Sequence, residues 1–221
     1  MSTEELKRIV RESGVPRAEV IDARGQWVKI LGDQAPEAAR RFQGGPDMLA
    51  YRLVADYAIT KGKCLLICGG DGTLPQTVGR GLVSLTDLEV TALYASEQAA
   101  KNAQKRIAEG KLADRIRCRV GTIGALPFDA ASYDLVVGIG PFLIREKDKT
   151  RVMCEIHRIL RPGGAALVGG RYLGMPAAFR VSTEALRDAA AETKLPTIRV
   201  YDDMGQWVEI RKGVEDKPRG D

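Results

Sequence analysis

Residues 63–73 read KCLLICGGDGT. An unbroken apolar run, Cys64 to Cys68, meets Gly69-Gly70-Asp71-Gly72 with no spacer. A run this short and this apolar reads as a strand covered on both faces, the kind found in parallel sheets. A glycine loop that follows such a strand and opens a helix lets a ligand approach the backbone. The helix N-terminus then favours the ligand's negative groups. Two well-known nucleotide loops are excluded. Pro75 stands where the third glycine of G-x-G-x-x-G would fall, and no Gly-Lys-Ser/Thr is present.

Strands and helices alternate on either side of this loop. The pattern predicts helix over 48–60, strand over 63–68, helix over 74–84, strand over 89–94 and helix over 96–109. It continues with strands over 115–121 and 133–139, helix over 147–160 and strand over 164–171. Such alternation implies an α/β fold: a mostly parallel sheet with helices on both faces.

Four segments carry a family resemblance that covers about residues 48–210. The Gly69–Gly72 loop resembles motif I of class I S-adenosylmethionine (SAM)-dependent methyltransferases, in its spermidine-synthase version. Residues 90–103 (VTALYASEQAAKNA) resemble that family's second strand and following helix. Residues 114–137 (DRIRCRVGTIGALPFDAASYDLVV) and 155–164 (EIHRILRPGG) are similar to the matching segments of ubiquinone/menaquinone-type methyltransferases. The resemblance implies a Rossmann-like SAM-methyltransferase sheet with strand order 3-2-1-4-5-7-6 and an antiparallel hairpin strand near its edge. It implies SAM as cofactor and a small-molecule acceptor. Gly69, Gly70, Asp71 and Gly72 would hold the amino-acid end of the cofactor, Tyr94 and Ala95 the ribose, and Thr122 and Ile123 the adenine. Gly140 lies at the same edge. Tyr51, Phe142 and Tyr172 are acceptor-site candidates. Asp134 takes a structural role, and no catalytic acid or base is identified.

The chain departs from the family at the charged positions. The carboxylate that would hold both ribose hydroxyls is replaced by Tyr94, with Glu97 three residues on. The acidic partner of the adenine amino group is replaced by Thr122. Leu66 and Cys68 occupy the places of an acid and a glycine around motif I. A charge-assisted hydrogen bond contributes about 1.5–3 kcal/mol, so two losses weaken binding about a hundredfold or more unless replaced. Two readings follow: a divergent SAM-dependent transferase, or a non-catalytic scaffold or regulatory protein of the same fold. Aminopropyl transfer is a weaker third, because only the glycine loop resembles spermidine synthase.

A second pattern joins the two ends of the chain. Residues 2–30 and 182–210 align without a gap, and 13 of 29 positions are identical, including Leu6/Leu186, Glu12/Glu192, Val28/Val208 and Ile30/Ile210. Chance gives about two at ordinary residue frequencies. Each copy reads as helix, proline break, strand, glycine turn and strand. The chain therefore divides into 1–47 (N-terminal helix-hairpin and connector), 48–213 (methyltransferase-like domain, including the second copy at 182–210) and a flexible tail, 214–221. A lone helix and hairpin buries little surface, which predicts a homodimer or larger assembly.

Composition agrees with a globular protein. Apolar residues make up 44% of the 221, and no apolar run reaches the ~18 residues of a membrane span. The acidic N-terminus is unlike a signal peptide, which predicts a cytoplasmic protein without a membrane partner. The net charge is +5, with the basic excess spread diffusely over 101–200 rather than clustered with aromatics, so no nucleic acid is expected. Cys64, Cys68, Cys118 and Cys154 form no C-x-x-C pair, and His157 is the single histidine. No metal is expected, and the cysteines read as reduced core thiols. Arg115, Arg117 and Arg119 alternate along the third strand and read as charges guarding an exposed edge.

Overall fold

In the computed structural model, residues 57–68, 78–139, 149–169, 183–195, 198–201 and 207–213 are described. Strand β1 (Lys61–Cys68) is the apolar run of the glycine-loop segment, and its last five residues are buried. It pairs in parallel with β2 (Asp87–Tyr94) on one side and β4 (Tyr133–Ile139) on the other. β3 (Ile116–Val120) extends the sheet beyond β2, and β5 (Leu160–Gly169) extends it beyond β4, both in parallel. β6 (Ile198–Tyr201) and β7 (Trp207–Arg211) form a hairpin, with β7 antiparallel to β5. The order β3-β2-β1-β4-β5-β7-β6 is the one that the resemblance implied.

Helices cover the two faces in pairs. On one face lie α1 (Arg80–Leu85) and α2 (Glu97–Glu109), which bury Leu82, Leu85, Ala100, Ala103 and Ile107 against Leu66, Ala92 and Val137. On the other lie α3 (Lys149–Ile159) and α4 (Thr183–Glu192), which bury Val152, Met153, Ile156, Ile159 and Leu186 against Val136, Ala166, Val168, Val208 and Ile210. Ser96 caps α2, its hydroxyl accepting from the Ala99 N–H at 3.3 Å. The second repeat copy is α4 with the β6–β7 hairpin, as its sequence pattern predicts. The first copy, residues 2–30, lies outside the described residues.

Two polar clusters hold the strand starts and the β3–β4 crossover. The Asp134 carboxylate accepts from the Lys63 N–H at 2.7 Å and from the Arg161 guanidinium at 3.0 and 3.2 Å. This ties the beginnings of β1, β4 and β5. Gly62 sits against that carboxylate at φ +109°, so any side chain there would meet Asp134. The second cluster comes from the EIHRILRPGG segment. Glu155 accepts from the Leu126 N–H at 2.8 Å and pairs with Arg158, whose guanidinium also donates to the carbonyls of Phe128 and Leu126. The β3–β4 crossover is thus pinned to α3.

The cysteines divide by position. Cys64 and Cys68 are buried on β1 as expected, whereas Cys154 is exposed. It falls between the buried Met153 and Ile156 on α3, on the outer face of that helix. The arginines on β3 also divide. Arg117 and Arg119 are exposed, while the Arg115 guanidinium donates to the carbonyls of Thr86 and Leu88 and secures the start of β2.

Gly62→Ala is expected to destabilise the chain by about 2–4 kcal/mol, through both the backbone conformation and the Asp134 contact. Thermal unfolding would show it as a drop of roughly 4–16 °C at about 2–4 °C per kcal/mol. The Glu155 carboxyl is held below its ordinary value, first by its bond from Arg158, with the Leu126 N–H adding to it. A depressed acid stabilises the fold fully above its unfolded value of 4.5 and loses that contribution as pH falls toward the folded value. Stability should therefore decline below about pH 4.5. Arg158→Ala should cost about 2 kcal/mol at pH 7 and flatten that acid limb, as denaturant melts at several pH values would read.

Candidate functional site

Ligands of such sheets bind outside the carboxyl ends of the strands, where the order reverses. Here that point lies beside β1, whose neighbours β2 and β4 run out in opposite directions across the sheet. β1 ends there at Cys68 and β2 at Tyr94. The Gly121 N–H donates to the Tyr94 carbonyl at 2.9 Å, which carries the β2–β3 pairing one residue beyond β3. Thr122 and Ile123 thus come alongside the end of β2 and Ala95. The structure brings these four candidates, Tyr94, Ala95, Thr122 and Ile123, to one edge. Gly69, Gly70, Asp71, Gly72, Gly140, Tyr51, Phe142 and Tyr172 lie outside the described residues.

The four differ in what they can offer. Ala95 and Thr122 are exposed and Ile123 is half-buried. Tyr94 is only 1% exposed, packed in the apolar layer beneath α1 and α2, and its hydroxyl lies beside the Cys68 thiol. Its ring is therefore core, and stacking against a ligand would require it to leave that layer. The Thr122 hydroxyl is directed to the Ala125 carbonyl at 3.4 Å, in a small turn closed by a Thr122–Ala125 bridge. Glu97 begins α2 at the same edge and is exposed. A carboxylate is the group that can accept from two hydroxyls at once.

The buried thiols do not supply a nucleophile. Burial pushes the Cys68 thiol up to about 12, with the neighbouring Tyr94 hydroxyl pulling the other way. Burial drives Cys64 higher still. Both stay protonated at neutral pH, and a thiol is a weak nucleophile in that form. Among the described residues, no group of three or more His, Cys, Asp and Glu side chains is placed to hold a metal ion.

A concavity of about 670 Å³ lies over the first half of β2 and along β3 to its end, on the α3–α4 face. It is lined by Lys63, Glu89, Thr91, Arg117, Arg119 and Tyr133 among others. Its lining follows a face of the sheet and reaches Val120, the register partner of Tyr94, so it ends beside the candidate ligand site.

The sequence missed what Glu155 and Arg158 do. Their spacing of three on a helix places them on one face, and this was the available signal. Which loop they hold depends on the crossover returning beneath α3, which spacing does not reveal.

Comparison with known proteins agrees with this geometry. Residues 65–164 match the methyltransferase domain family. A demethylmenaquinone methyltransferase of Lactiplantibacillus plantarum is 39% identical over 75 residues, which are 34% of this chain and 31% of that protein. The aligned part thus spans about a third of this curated relative. A protein of Methanococcus maripaludis, described as an S-adenosyl-L-methionine-dependent methyltransferase, superposes with TM-score 0.64 at 24% identity, over 76% of this chain and 84% of that one. Phosphoethanolamine N-methyltransferase 2 of Haemonchus contortus, solved with S-adenosyl-L-methionine, gives TM-score 0.55 at 21% identity, over 71% of this chain and 38% of that one. Residues 65–164 are thus similar to the methyltransferase domain family, and the chain carries the fold of the class I SAM-dependent methyltransferases.

Proposed function

We propose that the protein transfers a methyl group from SAM to a small molecule, with the cofactor at the carboxyl edge of β1, β2 and β3. The observation that carries this reading is the strand order with an antiparallel β7, together with the family match over residues 65–164. Gly69, Gly70, Asp71 and Gly72 take the amino-acid end of the cofactor. Ala95 and the backbone at Tyr94 flank the ribose, and Glu97 offers its diol an exposed carboxylate. Thr122 and Ile123 border the adenine. Gly140 joins the cofactor contacts, and Tyr51, Phe142 and Tyr172 line the acceptor side.

The described edge residues fit SAM only in part, since the acidic partners of its ribose and adenine are replaced by Tyr94 and Thr122. The edge is built and open at Ala95, Glu97 and Thr122, while Tyr94 is turned into the core. Binding is accordingly weaker than full charge complementarity would give. The cofactor supplies an activated methyl group. This chain's residues contribute position and orientation, which by themselves speed a transfer greatly. A methyl acceptor that is already acidic or nucleophilic needs no protein base. A cytoplasmic setting and a homodimer are part of the same proposal. No described helix is long and apolar enough to cross a membrane. Light scattering tests the dimer, which would give about twice the 24.0 kDa of the chain.

Isothermal titration with SAM and with S-adenosylhomocysteine tests the cofactor directly. Saturable binding of both is expected, and no heat at millimolar ligand would sink the proposal. Thr122→Asp should tighten binding roughly tenfold by giving the adenine amino group a charged acceptor. Glu97→Ala should weaken it by about tenfold with little change in melting temperature.

A further inference from the structure

The second repeat copy shows what its sequence pattern is for. It fills one seat: β7 against β5, from Ala165↔Arg211 to Gly169↔Trp207, with α4 alongside α3. The seat buries Leu186, Ala189, Val208 and Ile210. Shifted back by 180, these positions are Leu6, Ile9, Val28 and Ile30. Three are identical and the fourth is apolar. The seat also makes a polar contact, the Thr150 hydroxyl donating to Glu192 Oε2 at 2.7 Å. The counterpart, Glu12, is again identical. Differences fall on both sides, and several lie where the second copy faces water. Exposed Arg187, Asp188, Ala191 and Arg199 correspond to Lys7, Arg8, Arg11 and Glu19. The first copy has thus kept Leu6, Val20, Val28 and Ile30 among the apolar residues that fit this seat, while Glu5 stands in place of the partly buried Ala185.

Two buried polar anchors are missing from the first copy. Glu209 is 2% exposed and bonds twice to Arg211, whose guanidinium lies 4.9 Å above the Tyr57 ring. Lys212 is 7% exposed and donates to the His157 carbonyl on α3. Their counterparts are Lys29, Leu31 and Gly32. The second copy therefore fits better and holds the seat in the intact chain. Residues 32–56 separate the first copy from the described core, a length that spans up to about 80 Å when extended. The tether reaches the chain's own β5, and tethering favours that seat over one in another molecule.

We propose that residues 2–31 are a second occupant for the seat beside β5 in the same chain, and take it when residues 182–211 are displaced. The proposal does not depend on cofactor binding, and its test reads folding alone. In the full-length chain, Val208→Asp with Ile210→Asp evicts the second copy. The expected result is a cooperative unfolding transition that survives, lowered by several degrees. Adding Val28→Asp and Ile30→Asp should abolish it, while those two alone leave the melting temperature unchanged. Val168 lies opposite Val208 in the register. Val28→Cys with Val168→Cys, in the evicted chain, should form a disulfide that runs as a monomer and maps to those two positions. The proposal is overturned if the evicted chain is as unfolded as the fourfold variant, or if the disulfide joins two chains.

Discussion

The Asp134 carboxylate is the constraint on which the sheet depends. One acceptor group takes a backbone N–H from β1 and a guanidinium from β5 while itself standing on β4. It fixes the relative height of three neighbouring strands where their apolar pairing begins. Because side chains alternate faces along a strand, a slip of one residue would turn Leu65 and Ile67 toward the wrong helical layer. Gly62 and Gly164 make room for this arrangement. A side chain at Gly62 would strike the carboxylate, and one at Gly164 would strike the carbonyls of Arg161 and Asp134. The candidate ligand edge lies at the far end of these same strands, so its geometry is inherited from this contact.

Seen this way, the segments that resemble the methyltransferases and those that depart from them have different work. EIHRILRPGG and the LPF…YDLVV stretch supply Glu155, Arg158, Arg161 and Asp134, which hold the crossover and the strand starts. They resemble the family because they solve the family's packing problem. Cys68, Tyr94 and Thr122 stand at the ends of β1, β2 and beyond β3, where the family places polar groups for its cofactor. A thiol and a phenol buried side by side there are an apolar solution to a place usually built for hydrogen bonding.

The strand order, the two helical layers and the edge position of β3 were legible because each rests on periodicity or on motifs read in series. Strand boundaries moved by at most four residues, and β4 kept both of its ends. β5 begins four residues early, at Leu160, because the Pro-Gly-Gly turn is carried into the strand through a register shift beside Tyr133 and Leu135. The burial of Tyr94 was not legible. A tyrosine at a strand end reads equally well as a ligand contact or as core, and only the packing of α1 and α2 over it decides. Arg115 was hidden for a similar reason. Its alternation with Arg117 and Arg119 suggests one role for all three, yet it alone reaches the carbonyls of Thr86 and Leu88.

The antiparallel β7 also sets an order of events during synthesis. β5 ends at residue 169 and β7 begins at 207. At ordinary rates of translation, β5 waits roughly 2–8 s before its neighbour has been made. Throughout that interval an apolar edge is open to any other nascent chain, a situation that favours aggregation. The first copy precedes β5 in the sequence and shares Leu6, Val28 and Ile30 with the residues that seat the second copy. An occupant made ahead of β5, as proposed for residues 2–31, would shorten the time for which that edge stands open.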